Sequence, residues 1–222
     1  NSGHVRVIIQ QSRPNPASGA LFRAFMDNMY FQQPVVRHEG SFWHFSRREI
    51  NDLILATLAF GLALAFMRMG GIFNILSSGE SLPFVILNML IWGILYILAL
   101  GPAFIIHELA HKFLARHYGC WAEFRADPRG LKTGILIAGL LGIVFMAPGA
   151  VMVAGNISRE QNGKIALAGP ISNLILFGIG IVGGALLLGI TTNVFVEQFV
   201  MAWLWGNSIS VSYTHLTLPT KR

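Results

Sequence analysis

Long apolar runs separated by short polar breaks dominate the chain from residue 46 onward. Ser46-Arg47-Arg48-Glu49 has capping-box spacing, in which a serine and a glutamate three residues later satisfy free backbone donors at a helix start. The apolar positions that follow predict a first span from Arg47 to about Met67. A second run covers residues 82–118. As one helix it would be roughly 55 Å long against a hydrocarbon core of roughly 30 Å, so Gly101-Pro102 is expected to kink or break it. Residues 131–147 are apolar but few, and end at Pro148-Gly149, which fits a thin span or a re-entrant segment. Arg159 and Lys164 follow, and their charge favours re-entry. A third clear span is expected from Lys164 to about Ile190, and a last apolar piece, residues 194–209, begins another helix and stops short.

Ahead of these runs the pattern is polar. Residues 4–9 alternate and residues 12–19 are rich in Pro, Asn, Ser and Gly, which predicts short strands and turns in a small cytosolic appendage, residues 1–45. The fold class expected is an all-α polytopic membrane protein with its transmembrane core at residues 46–209.

Composition narrows the partners. Hydrophobic residues make up 54% of the chain and charged residues 12%, with a mean hydropathy of +0.58, far from a soluble domain. The net charge of +6 is spread through loops beside apolar runs, which argues for membrane lipid and against nucleic acid. Residues 1–51 hold six Lys and Arg, residues 112–132 hold five, and residues 69–82 hold none. That asymmetry places the N-terminus and the segment after residue 111 in the cytosol. The single cysteine, Cys120, excludes an internal disulfide and reads as a small structural residue.

The chemistry lies in His107-Glu108-Leu109-Ala110-His111. Residues four apart on a helix are rotated by about 40° and displaced by about 6 Å, so both imidazoles can grip one metal ion. Glu108 then lies beside that metal, where a carboxylate can take a proton from bound water. The alternative is a chance match with two hydrogen-bonded histidines. Ionisable residues at membrane depth are costly and mark function, which favours zinc. Lys112 and Arg116 are expected to snorkel toward the interface. His117 has the spacing of a third histidine ligand, but Leu114 stands where such sites need a turning glycine. On a continuing helix it lies about 15 Å along the axis and roughly 80° off the His107 face. Asp127, in a turn-like loop, reads as a solvated turn residue.

Further on, Leu167-Ala168-Gly169-Pro170-Ile171-Ser172-Asn173 places Gly169 and Asn173 on one helical face, where small residues permit close helix packing. An embedded HELAH helix ending in Tyr118-Gly119, a Gly-rich segment and this AGPxxN stretch together resemble the site-2 protease family of intramembrane zinc metalloproteases. The likeness covers about residues 46–209 and is closest to archaeal-type members, through Phe45-Ser46-Arg47-Arg48-Glu49 and Ala147-Pro148-Gly149-Ala150-Val151. The resemblance implies zinc on His107 and His111, Glu108 as general base, and Asn173 beside the site holding substrate or the developing oxyanion. It implies cleavage of transmembrane segments of single-span membrane proteins, in the cell membrane, with the site toward the cytosol. It also implies a third ligand, an Asp in an LDG-like motif on a further core helix. None of Asp27, Asp52 and Asp127 stands in such a motif.

Residues 211–220 break the apolar pattern and match an in-frame translation of a transposase-type sequencing adapter, so residues 210–222 are set apart from the fold and His215 is no ligand candidate. The expected Asp would then lie beyond a truncation. The rival reading is a non-catalytic membrane protein that binds transmembrane clients. A transporter built around a histidine pair would show internal repeats, and none is visible.

Overall fold

A computed structural model of the chain describes residues 6–8, 35–37, 42–146 and 148–215. The loop expected at residues 12–19 lies outside them. Two short strands, β1 (Arg6–Ile8) and β2 (Val35–Arg37), pair antiparallel in the N-terminal part. The rest is mostly helical: α1 (Arg47–Met69), α2 (Gly71–Ser77), α3 (Leu82–His117), α4 (Pro128–Leu141), α5 (Arg159–Ile190) and α6 (Val194–His215).

Three of these, α1, α3 and α5, are long and apolar enough to cross a membrane. Their outer faces carry exposed rows such as Ile54, Leu58 and Leu62 on α1 and Leu90, Ile94 and Leu98 on α3. Such rows are unfavourable in water and suited to lipid. Between the helices small residues set the spacing: Ala56, Ala63 and Ala99 are fully buried, and Gly61 lies so close to Ile97 that a side chain would overlap it. Contrary to one of the two outcomes expected at Gly101-Pro102, α3 is not broken there; Pro102 sits inside one 36-residue helix. The proline costs one backbone hydrogen bond, which the packing of α3 among α1, α5 and α6 offsets. The last helix also runs past residue 209, to His215.

The chain is not all-α. Strands β3 (Trp121–Ala126) and β4 (Gly149–Ala154) form an antiparallel ribbon with Phe124 opposite Val151 and Ala126 opposite Gly149. Between them, α4 has only 14 residues, roughly 21 Å, too short for the hydrocarbon core. The Asp127 N–H donates to the Pro148 carbonyl at 3.1 Å, so the excursion leaves the ribbon and returns to the same place. The helical part of residues 131–146 is thus too short to cross the core, and the flanks of the excursion end beside each other. As a result the C-terminal end of α3 and the start of α5 lie side by side, and the two helices run antiparallel.

Sequence reading also mistook the local polar chemistry. Ser46 caps α1 by accepting from the Glu49 N–H at 3.1 Å, but only that half of the expected box forms. The Glu49 carboxylate is buried and takes a 2.5 Å hydrogen bond from Lys112 Nζ and a 3.1 Å bond from the Phe124 N–H. Neither Lys112 nor Arg116 snorkels. Lys112 is fully buried, also donating to the His44 carbonyl at 3.1 Å and sitting 3.5 Å over the Phe45 ring. Arg116 donates to the carbonyls of Phe42, His44 and Ala122. A carboxylate and three carbonyls within reach hold these cations more firmly than water beyond the helix end could. Removing one partner strands the other charge, so Lys112→Met is expected to destabilise the protein by about 3–5 kcal/mol, measured by reversible unfolding in mixed micelles.

Candidate metal centre

Two turns of α3 carry the site. His107 and His111 point their rings to one side, with the Nε2 atoms 3.1 Å apart and the ring planes at 81°. Two nitrogens each about 2.0–2.1 Å from a tetrahedral zinc stand about 3.3–3.4 Å apart, so the separation suits a shared ion. The tautomer suits it as well. His111 Nδ1 lies 2.6 Å from the Ile165 carbonyl. Donating that N–H leaves the Nε2 lone pair facing His107.

The floor of the site is Gly169 on α5. A Cβ there would meet His107 Nε2 at 2.5 Å and His111 Nε2 closer still, so only glycine leaves the space between the two nitrogens open. Ser172 Oγ donates to the Gly169 carbonyl at 2.6 Å and holds this turn. Asn173 lies one turn further on the same face, 1% exposed, with both side-chain polar atoms lacking a partner among the described residues. An amide buried so deeply without a partner is costly unless a ligand supplies one. Glu108 is half-buried, and its carboxylate accepts a hydrogen bond from the Val151 backbone on β4.

Of the residues expected from sequence, His107 and His111 meet Gly169 at the α3–α5 contact, Glu108 turns to β4, and Asn173 lies one turn along α5 from Gly169. The donor set fits zinc as two of its protein ligands, and among the described residues no group of three His, Cys, Asp or Glu gathers. His117 is exposed and turned against Tyr118. Asp127 caps α4, its Oδ1 accepting from the Arg129 N–H at 3.0 Å. Cys120 is buried against Gly155, and burial raises its thiol above the ordinary range, which suits a structural role.

Sequence reading missed one contributor to the site and one buried polar residue elsewhere. Val151 acts through its backbone N–H, which no side-chain motif reveals, although the β-branched run Val151 and Val153 after Gly149 was a strand signal. Asn207 on α6 is fully buried, with Nδ2 donating to the Trp203 carbonyl at 2.8 Å and no partner for Oδ1 among the described residues. It was passed over because residues 194–209 read simply as apolar.

Fold and site define a mostly helical protein with three helices long and apolar enough to cross a membrane and an HExxH histidine pair against a glycine floor. The chain is similar to a Methanocaldococcus jannaschii protein named "Putative zinc metalloprotease MJ0611", with 37% identity over 137 residues, 61% of this chain and 62% of that protein. It thus spans less than two thirds of that relative's length. No protein-family model and no solved structure matches.

Proposed function

We propose that this chain is the core of an intramembrane zinc endopeptidase of the site-2 protease type. The observation that carries the reading is the convergence of the His107 and His111 Nε2 atoms above Gly169, with the Glu108 carboxylate held next to them by β4. The similarity to a relative named as a zinc metalloprotease supports the same chemistry.

His107 and His111 would hold the metal, and the third protein ligand would be an Asp on a further core helix. Zinc bound there supplies Lewis acidity and lowers the pKa of a coordinated water to roughly 7. Glu108 accepts the proton of the attacking water and hands it to the leaving amine. Asn173, with free donor and acceptor, binds the scissile peptide group or the oxyanion that develops from it.

The substrate is a transmembrane segment of a single-span membrane protein, unwound locally, because an intact helix hides its carbonyls in hydrogen bonds. An open, largely apolar groove of about 700 Å³ lies between the C-terminal part of α3 and the start of α5, lined by residues that include Ala110, Leu114, Leu167, Ile171 and Ile175. Its composition suits such a segment. The positive-inside bias supports a site toward the cytosol.

In proteoliposomes carrying a single-span reporter, cleavage is expected to stop on metal chelation and to return when zinc is restored. Cleavage that persists after exhaustive chelation sinks the reading.

A further inference from the structure

An antiparallel ribbon of two strands has residue pairs whose N–H groups point outward, away from the partner strand. Phe124 and Val151 face each other in β3 and β4. Both N–H groups point outward: that of Phe124 donates to Glu49 Oε1 at 3.1 Å, and that of Val151 is directed toward the Glu108 carboxylate. The ribbon is therefore gripped at the same register position by one carboxylate on each edge.

The other end of each carboxylate's support is shared. Glu49 Oε2 accepts from Lys112 Nζ at 2.5 Å, and Lys112 stands one helical turn after Glu108 on α3. The contacts close a ring running from Glu108 along α3 to Lys112, to Glu49, across the ribbon from Phe124 to Val151, and back to Glu108. Glu49, Lys112 and Phe124 are all buried, and the α3 side of the ring includes the turn that carries His111. Buried amides at the edge of a short ribbon need acceptors, and a carboxylate is the strongest acceptor on offer.

We propose that Glu49 is a positioning residue for Glu108: it sets the seat of the ribbon, and the ribbon, through the Val151 N–H, sets the orientation of the carboxylate that serves as base. The idea rests on the reading of Glu108 as general base. It assigns to the start of α1, more than fifty residues before the motif in sequence, control over how that motif's acid is aimed.

Hydrogen exchange of the backbone amides, followed by mass spectrometry on the purified chain in detergent micelles, tests this without metal or substrate. Glu49→Ala is expected to speed exchange at both Phe124 and Val151 by about tenfold or more. Glu49→Gln combined with Lys112→Met keeps an acceptor for the Phe124 N–H and leaves no unpaired charge, so both amides are expected to stay within about threefold of the unmodified protein. If Glu49→Ala does not fold, Glu49→Asp carries the test. It keeps the charge but shortens the reach, and Val151 exchange should still rise. The proposal is overturned if Val151 is unmoved when Phe124 is released, or if the double variant loosens Val151 as much as alanine does. Because the readout needs no zinc, its failure is separate from failure of the protease reading, which the chelation experiment decides.

Discussion

Glu108→Gln is expected to lower cleavage of a transmembrane reporter by about 10²–10⁴-fold while zinc content stays unchanged. The glutamine is nearly isosteric and its Oε1 can still accept from the Val151 N–H, so the local arrangement on β4 is retained. His107 and His111 are untouched, and the His111 tautomer remains fixed by the Ile165 carbonyl. What disappears is a group able to take a proton from water and return it to the amine. Zinc content by atomic absorption and cleavage by gel are read on the same preparation. Cleavage at the unmodified rate would favour the client-binding alternative, in which the metal site merely shapes a pocket.

The second large effect comes from a residue with no side chain. Gly169→Ala is expected to lower zinc affinity at least about 100-fold, because the added carbon would occupy the space between the two Nε2 atoms. The imidazoles cannot simply swing aside, since His111 would lose its 2.6 Å bond to Ile165. The opposite trend is expected in the helix itself: alanine is favoured over glycine in a helix interior by about 1 kcal/mol, so α5 should be no less helical. Gly163→Ala on the same helix meets nothing within 4 Å and serves as the control. Competition with a chromogenic zinc chelator measures the affinities, and equal affinity in the two variants would remove Gly169 from the site.

The spans and the histidine pair were legible because they depend on local periodicity. The limits of α1 agree within two residues with expectation, Met69 in place of Met67, and His107 and His111 share one face of α3 as their spacing of four requires. The cations did not follow local rules. Lys112 and Arg116 near a helix end ordinarily reach for water, but the chain folds a carboxylate 63 residues away onto Lys112. Nothing within one helix records that partner. The ribbon was hidden for a similar reason: Trp121–Ala126 mixes charged and apolar residues and precedes Pro128, so it resembled a loop until its distant partner, Gly149–Ala154, was beside it. Gly169 was read as a packing residue; its closeness to the two histidines depends on how α5 is seated against α3.

The excursion between Ala126 and Gly149 has a topological consequence. Its two ends are neighbours in the ribbon, joined further by the Asp127–Pro148 hydrogen bond, so the segment behaves as a cassette plugged into a single socket. Lengthening or exchanging the cassette alters neither the direction of α3 relative to α5 nor the number of membrane crossings. What is presented beside α3 can thus vary while the frame that carries His107 and His111 stays unchanged.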